Sequence, residues 1–103
     1  MAVGHAVLWQ DENGVELGSF VKPGFDTRLT QPNWTDGTAC LRFVDPYGDT
    51  VFNQLQIPVL IGELEAVAAR AGAGDLVSTV AGLIAFLRQC DEQAHTYVKV
   101  IGD

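Results

Sequence analysis

Basic side chains are scarce in this chain. Six Lys and Arg stand against thirteen Asp and Glu in 103 residues, a formal net charge of −7. The six are Lys22, Arg28, Arg42, Arg70, Arg88 and Lys99, and no two adjoin. A nucleic-acid-binding domain needs a basic stripe to displace counterions from phosphates. No nucleic-acid partner is therefore expected, and anionic membrane surfaces are disfavoured on the same ground. Cysteine is also sparse: Cys40 and Cys90 lie far apart. There is no C-x-x-C pair of the kind that marks a structural zinc site. The first residues, MAVGHAVLWQ, carry neither a basic leader nor a long apolar stretch, so the expected compartment is a reducing cytoplasm with both thiols free and buried. No apolar run approaches the length of a membrane span.

Reactive motifs are missing as well. Ser19 and Ser78 sit in no G-x-S-x-G elbow. Cys40 lies in an apolar stretch, which makes a thiol inert. The Gly-rich GAGD joins two helical segments, whereas a dinucleotide fingerprint joins a strand to a helix. His5 and His95 stand near opposite ends of the chain. With Cys90 or Asp91 they would suit zinc by residue type only, without any ligand spacing. No catalytic residue, metal ligand or cofactor is assigned.

What is present reads as one α+β domain over residues 1–103, with 48% apolar and 18% charged residues. HAVLWQ and VELGSFVK flank Asn13-Gly14, a strong hairpin signal. In the second strand Val15, Leu17 and Val21 share one face, and Glu16, Phe20 and Lys22 the other. Pro23-Gly24 ends it. Residues 24–37 then run without periodicity, long for a connection and therefore a candidate functional loop. TACLRFV (38–44) reads as a third strand and VFNQLQ (51–56) as a fourth. From Pro58 the period becomes helical: Leu60, Ile61, Leu64, Val67 and Ala68 recur at three and four. Gly72 suits the left-handed residue after the helix. Asp75 suits the cap of a second helix through about Gln93, with a stripe of Leu76, Val80, Leu83, Leu87 and Cys90. Gly82 in that helix suggests close packing against the first. Thr96–Ile101 is β-prone. The order is β-β-β-β-α-α-β: two layers, a mostly antiparallel sheet of about five strands, both helices on one face.

Asp45-Pro46-Tyr47-Gly48 has the residues of a type I turn. Its flanking acids, Asp45 and Asp49, offer too few oxygens for a hard cation. Phe25, Trp34 and Asp36 in the long loop, with Tyr47 at the turn tip and Asp49 beside it, are the candidate partner contacts, since aromatic side chains dominate interface hot spots.

LRFVDPYGDTVFNQLQ, followed by an acidic helix and the ending HTYVKVIGD, resembles a set of small bacterial proteins without an assigned function. The likeness runs from about residue 40 to the end. It implies a bacterial, single-domain, cytoplasmic protein and brings no site residues. Taken with the charge and the missing nucleophile, the expected function is a non-enzymatic, acidic inhibitor, immunity protein or antitoxin-like partner of a basic protein, with homodimerisation through an uncovered sheet face as a further expectation. Two other classes stay open. One is a small enzyme with Asp45, Asp49, His95 or Arg42 in a cleft. The other is a ligand-binding module that uses the sheet face and the 24–37 loop as a lid.

Overall fold

The computed structural model describes residues 5–22, 37–45 and 48–101. The chain forms β1 (His5–Asp11), β2 (Glu16–Lys22), a one-turn 3-10 helix (Leu41–Phe43), β3 (Asp49–Phe52), α1 (Ile57–Ala71), α2 (Asp75–Asp91) and β4 (Thr96–Ile101). The four strands make one antiparallel sheet in the order β2-β1-β4-β3. The last strand thus lies inside the sheet, and β2 and β3 are its edges among the described residues.

The β1–β2 hairpin forms where expected, but through a different turn. Of Asn13 and Gly14, only Gly14 takes a positive φ, at 81°. The Asp11 carboxylate accepts hydrogen bonds from the backbone N–H of Asn13 (2.8 Å) and Val15 (2.9 Å). The Gly14 N–H donates to the Asp11 carbonyl. This is a three-residue loop ending in a left-handed glycine. The strand register then slips: Trp9 opposes Gly18 while Gln10 opposes Glu16, leaving Leu17 extra on β2. Such a bulge reverses the alternation of faces. Glu16 therefore does not share a face with Phe20, and the expected grouping of β2 residues is corrected.

The helices begin and end close to expectation. Asn53 and Gln56 form a reciprocal cap just before α1. The Asn53 N–H donates to Gln56 Oε1 and the Gln56 N–H to Asn53 Oδ1, the geometry of a capping box. Gly72 ends α1 at φ 78° with its N–H on the Ala68 carbonyl. Gly74, not Asp75, is the residue before α2. Gly82 packs against the sheet and not against α1: a Cβ there would come 3.1 Å from Phe20 Cε1. Phe20 in turn meets Phe86, ring centroids 6.2 Å apart.

One side of the sheet joins both helices in the core. Val7 and Trp9 of β1, Val98 and Val100 of β4 and Phe52 of β3 are buried with Leu60, Leu64 and Val67 of α1 and Val80, Leu83, Leu87 and Cys90 of α2. Leu64 and Leu87 are wholly buried, each stabilising the fold by about 1.5–3 kcal/mol relative to exposure.

The third strand expected over 38–44 does not form, so the sheet has four strands among the described residues, where about five were expected. Its backbone amides are taken by side chains instead. The Glu63 carboxylate on α1 accepts the N–H of Ala39, Cys40 and Leu41, and Thr38 Oγ1 accepts the Arg42 N–H at 3.0 Å. A backbone committed to these acceptors has no donors left for a strand ladder. Cys40 and Leu41 insert into the core as neighbours, and Phe43 stays 61% exposed with the Arg42 guanidinium 4.9 Å over its ring. The fourth expected strand is shortened as well, ending at Phe52 because the Asn53–Gln56 cap starts α1.

Candidate partner-binding surface

The outward face of the sheet follows from the register. On β1 it presents Ala6, Leu8 and Gln10; on β4, Tyr97, Lys99 and Ile101. Opposite these lie Val21, Ser19 and Glu16 on β2, and Asp49 and Val51 on β3. Val21, Val51 and Tyr97 are exposed, at 62%, 55% and 38%. A sheet face meant only for water normally alternates to polar residues. Here every strand places an apolar side chain outward. Lys99, near the middle, has its ammonium 3.6 Å from the Asp49 carboxylate.

At one end this face runs into a groove of about 330 Å³ lined by Asn53, Gln54, Leu55, His95, Thr96 and Tyr97. The Gln54 side chain ties its two walls together, donating to the Gln93 carbonyl and accepting the His95 N–H. A second groove, of about 360 Å³, lies on α1 among Thr38, Val59, Gly62, Glu63, Ala66 and Arg70. The Glu63 carboxylate at its edge is occupied by backbone amides.

The residues singled out from sequence are distributed as follows. Phe25, Trp34, Asp36 and Tyr47 lie outside the described residues, as does the 24–36 part of the long loop. Asp49 is exposed and bound to Lys99. The central residues of the expected 45–48 turn, Pro46 and Tyr47, lie outside the described residues; on either side of them the Gly48 N–H reaches the Asp45 carbonyl at 3.4 Å. A Cβ on Gly48 would lie 2.8 Å from Asp45 Oδ2, so the Asp45 carboxylate lies against Gly48. The Asp45 N–H donates to Thr50 Oγ1, and that hydroxyl reaches the Phe43 carbonyl.

Of the residues of the expected carboxylate–histidine cleft, Asp49 and His95 are not brought together. Asp49 sits beside Ile101, whereas His95 precedes Thr96 at the other end of β4, a separation of about 20 Å along the strand. Asp45, Asp49, Arg42 and His95 are all exposed. The antiparallel pairing of β1 with β4 also sends His5 and His95 to opposite ends of the sheet. Among the described residues, no three His, Cys, Asp or Glu come together as metal ligands. Both thiols are buried. Burial pushes Cys90 up to about 12, with the Asp91 charge adding to it and a backbone hydrogen bond opposing it. Cys40 is raised by burial first and by Glu63 second. Neither is a nucleophile near neutral pH.

Leu55 escaped the sequence reading. It is 85% exposed at the lip of the end groove, although it fell within a stretch read as strand. The signal for it was N-x-x-Q ahead of Pro58, a capping pattern that turns the chain before α1.

No protein-family model, curated protein or solved structure matches this chain. Among the described residues no helix is long and apolar enough to cross a membrane.

Proposed function

We propose that this chain is a non-enzymatic binding protein whose open sheet face docks a basic protein, in the manner of a small inhibitor, immunity protein or antitoxin. The observation that carries the reading is the outward face itself: apolar side chains on all four strands, on a chain of net charge −7. Apolar contact supplies affinity at the centre of such an interface. Charge complementarity supplies fast association and discrimination against wrong partners. A second copy of the chain is the weaker occupant, because two faces on molecules each carrying −7 repel. The motif resemblance to small bacterial proteins is compatible with such a role and adds no residues to it.

The test uses the immobilised chain against a lysate of its own source, beside a Leu8→Ser/Val51→Ser variant. A basic protein retained by the wild type and not by the variant is expected. Its binding should weaken between about 0.1 and about 1 M salt, over which the screening length falls from roughly 10 to roughly 3 Å. Equal retention by the variant, or indifference to salt, overturns the reading. Light scattering across micromolar concentrations adds a further outcome: a stable dimer whose formation is lost in the variant would assign the face to a second copy.

A further inference from the structure

We infer that the end groove between the β3–α1 turn and the α2–β4 loop seats a lysine- or arginine-rich segment of the partner, anchored by one aliphatic or aromatic side chain against Leu55 and Tyr97. This inference rests on the binding-protein reading and gives it a specific contact. Leu55 is the most exposed large apolar residue among those described. It does not project because its turn is loose: Asn53 and Gln56 bind each other's backbone amides on either side of it. The opposite wall is equally fixed. Gln54 grips both Gln93 and His95, and His95 is held at φ 61°, a conformation rare for a non-glycine residue. The groove is therefore preformed, which lowers the entropy lost on binding.

The charge around it is one-sided. Asp11 opposes Thr96 across the β1–β4 ladder, Glu12 follows it in the hairpin loop, and Glu16 lies one strand beyond Gln10, the neighbour of Tyr97. Asp91 and Glu92 close α2 just before the loop. Among the described residues no Lys or Arg lines the groove itself. Arg88 is bound to Glu65, Lys99 to Asp49, Arg42 lies over Phe43, and Arg70 lines the groove on α1. Asp11 is held by the Asn13 and Val15 amides, but its charge, with those of Glu12, Glu16, Asp91 and Glu92, surrounds an apolar lip and matches a cationic segment that carries an apolar anchor.

The test is an NMR titration of the isotopically labelled chain with a decapeptide of alternating lysine and leucine. Two control peptides replace every lysine by glutamate or every leucine by serine. The alternating peptide should shift the amides of Leu55, Thr96 and Tyr97 and the side-chain amide of Gln54. Leu55→Ser should weaken that binding about tenfold, roughly the loss expected for a single anchor residue. Leu55 is exposed, so the variant keeps its fold. Glu12→Gln/Glu16→Gln should flatten the salt dependence. Shifts confined to Leu8, Val21 and Val51 would overturn the groove while leaving the sheet face standing. Equal binding of the serine control peptide would reduce the contact to unspecific charge attraction and overturn the inference. Absence of shifts at both places removes the groove, and the lysate capture then decides the wider reading separately.

Discussion

The two faces of the sheet are built from the same kinds of residue and meet opposite fates. Inward, Val7, Trp9, Val98, Val100 and Phe52 are buried under α1 and α2. Outward, Val21, Val51 and Tyr97 stand exposed, with Leu8 and Ile101 half-buried beside them. Apolar composition alone thus does not decide burial. The inward set is selected by what faces it: Gly82 lets α2 approach Phe20, and Gly18 leaves room for Trp9 and Phe86. The outward set has no comparable cover among the described residues. Stability should reside in one face and recognition in the other, and substitutions that separate the two test this division.

The largest effect belongs to the buried side. Leu64→Ala removes a wholly buried side chain of α1. A Leu→Ala change at such a site costs about 2–5 kcal/mol, the lost transfer energy plus a cavity. Denaturant unfolding should show the midpoint falling with an unchanged slope. A loss below about 1 kcal/mol would mean that α1 is not packed as described.

Next comes Glu63, which decides the path of residues 39–41. Glu63→Ala strips three backbone amides of their acceptor and should cost about 2 kcal/mol. Glu63→Gln keeps an acceptor oxygen and should cost about 1 kcal/mol, the difference between a charged and a neutral hydrogen bond. Urea midpoints for the two variants give the comparison: equal losses would show that a neutral acceptor restores nothing, and an unmoved midpoint for Glu63→Gln would show that the negative charge contributes nothing.

Cys90 predicts how stability responds to alkali. Its folded-state pKa, about 12, lies above the ordinary thiol value of 9.0 because burial disfavours the thiolate. The unfolded chain therefore releases this proton first as pH rises. The contribution to stability is complete below about pH 9 and is lost progressively from there toward pH 12. Cys90→Ala is less stable at neutral pH through its cavity, yet its stability should fall less steeply over that range. Parallel slopes for wild type and variant would place the thiol in contact with water in the folded state.

Much of this architecture was readable from local pattern. Asn13-Gly14 gives the hairpin, and the three- and four-residue spacing from Leu60 to Cys90 gives both helices. What was not readable depends on distant partners. TACLRFV has strand composition, but Glu63, more than twenty positions away, takes its amides. The bulge at Leu17 turns Glu16 away from the face of Phe20, and Gly18 beside it is a local signal of such a slip that does not say which residue is extra. Gly82 suggests close packing against the first helix, but the neighbour it approaches is Phe20 on β2. Of the candidate contacts, only Asp49 falls among the described residues. The outward face could not be read without the register, because Leu8, Val21, Val51 and Tyr97 come together only once β4 has returned between β1 and β3.

The smallest stability change should come from the outward face, and it is the sharpest test of the division. Val51→Thr keeps a β-branched side chain suited to an edge strand and replaces a methyl that is already in water, Val51 being 55% exposed. Its unfolding free energy should change by less than about 0.5 kcal/mol, leaving the midpoint almost unmoved. If this face is an interface, the same change puts an uncompensated hydroxyl into the desolvated contact and should weaken partner binding roughly five- to 150-fold, a cost of about 1–3 kcal/mol for an unpaired buried polar group. Calorimetric melting and binding measured on one preparation give both numbers. A binding loss with an unmoved midpoint separates recognition from stability as the two faces require. A midpoint that falls by as much as in a core substitution would mean that Val51 is covered within the chain itself, and the outward face would then be a second core.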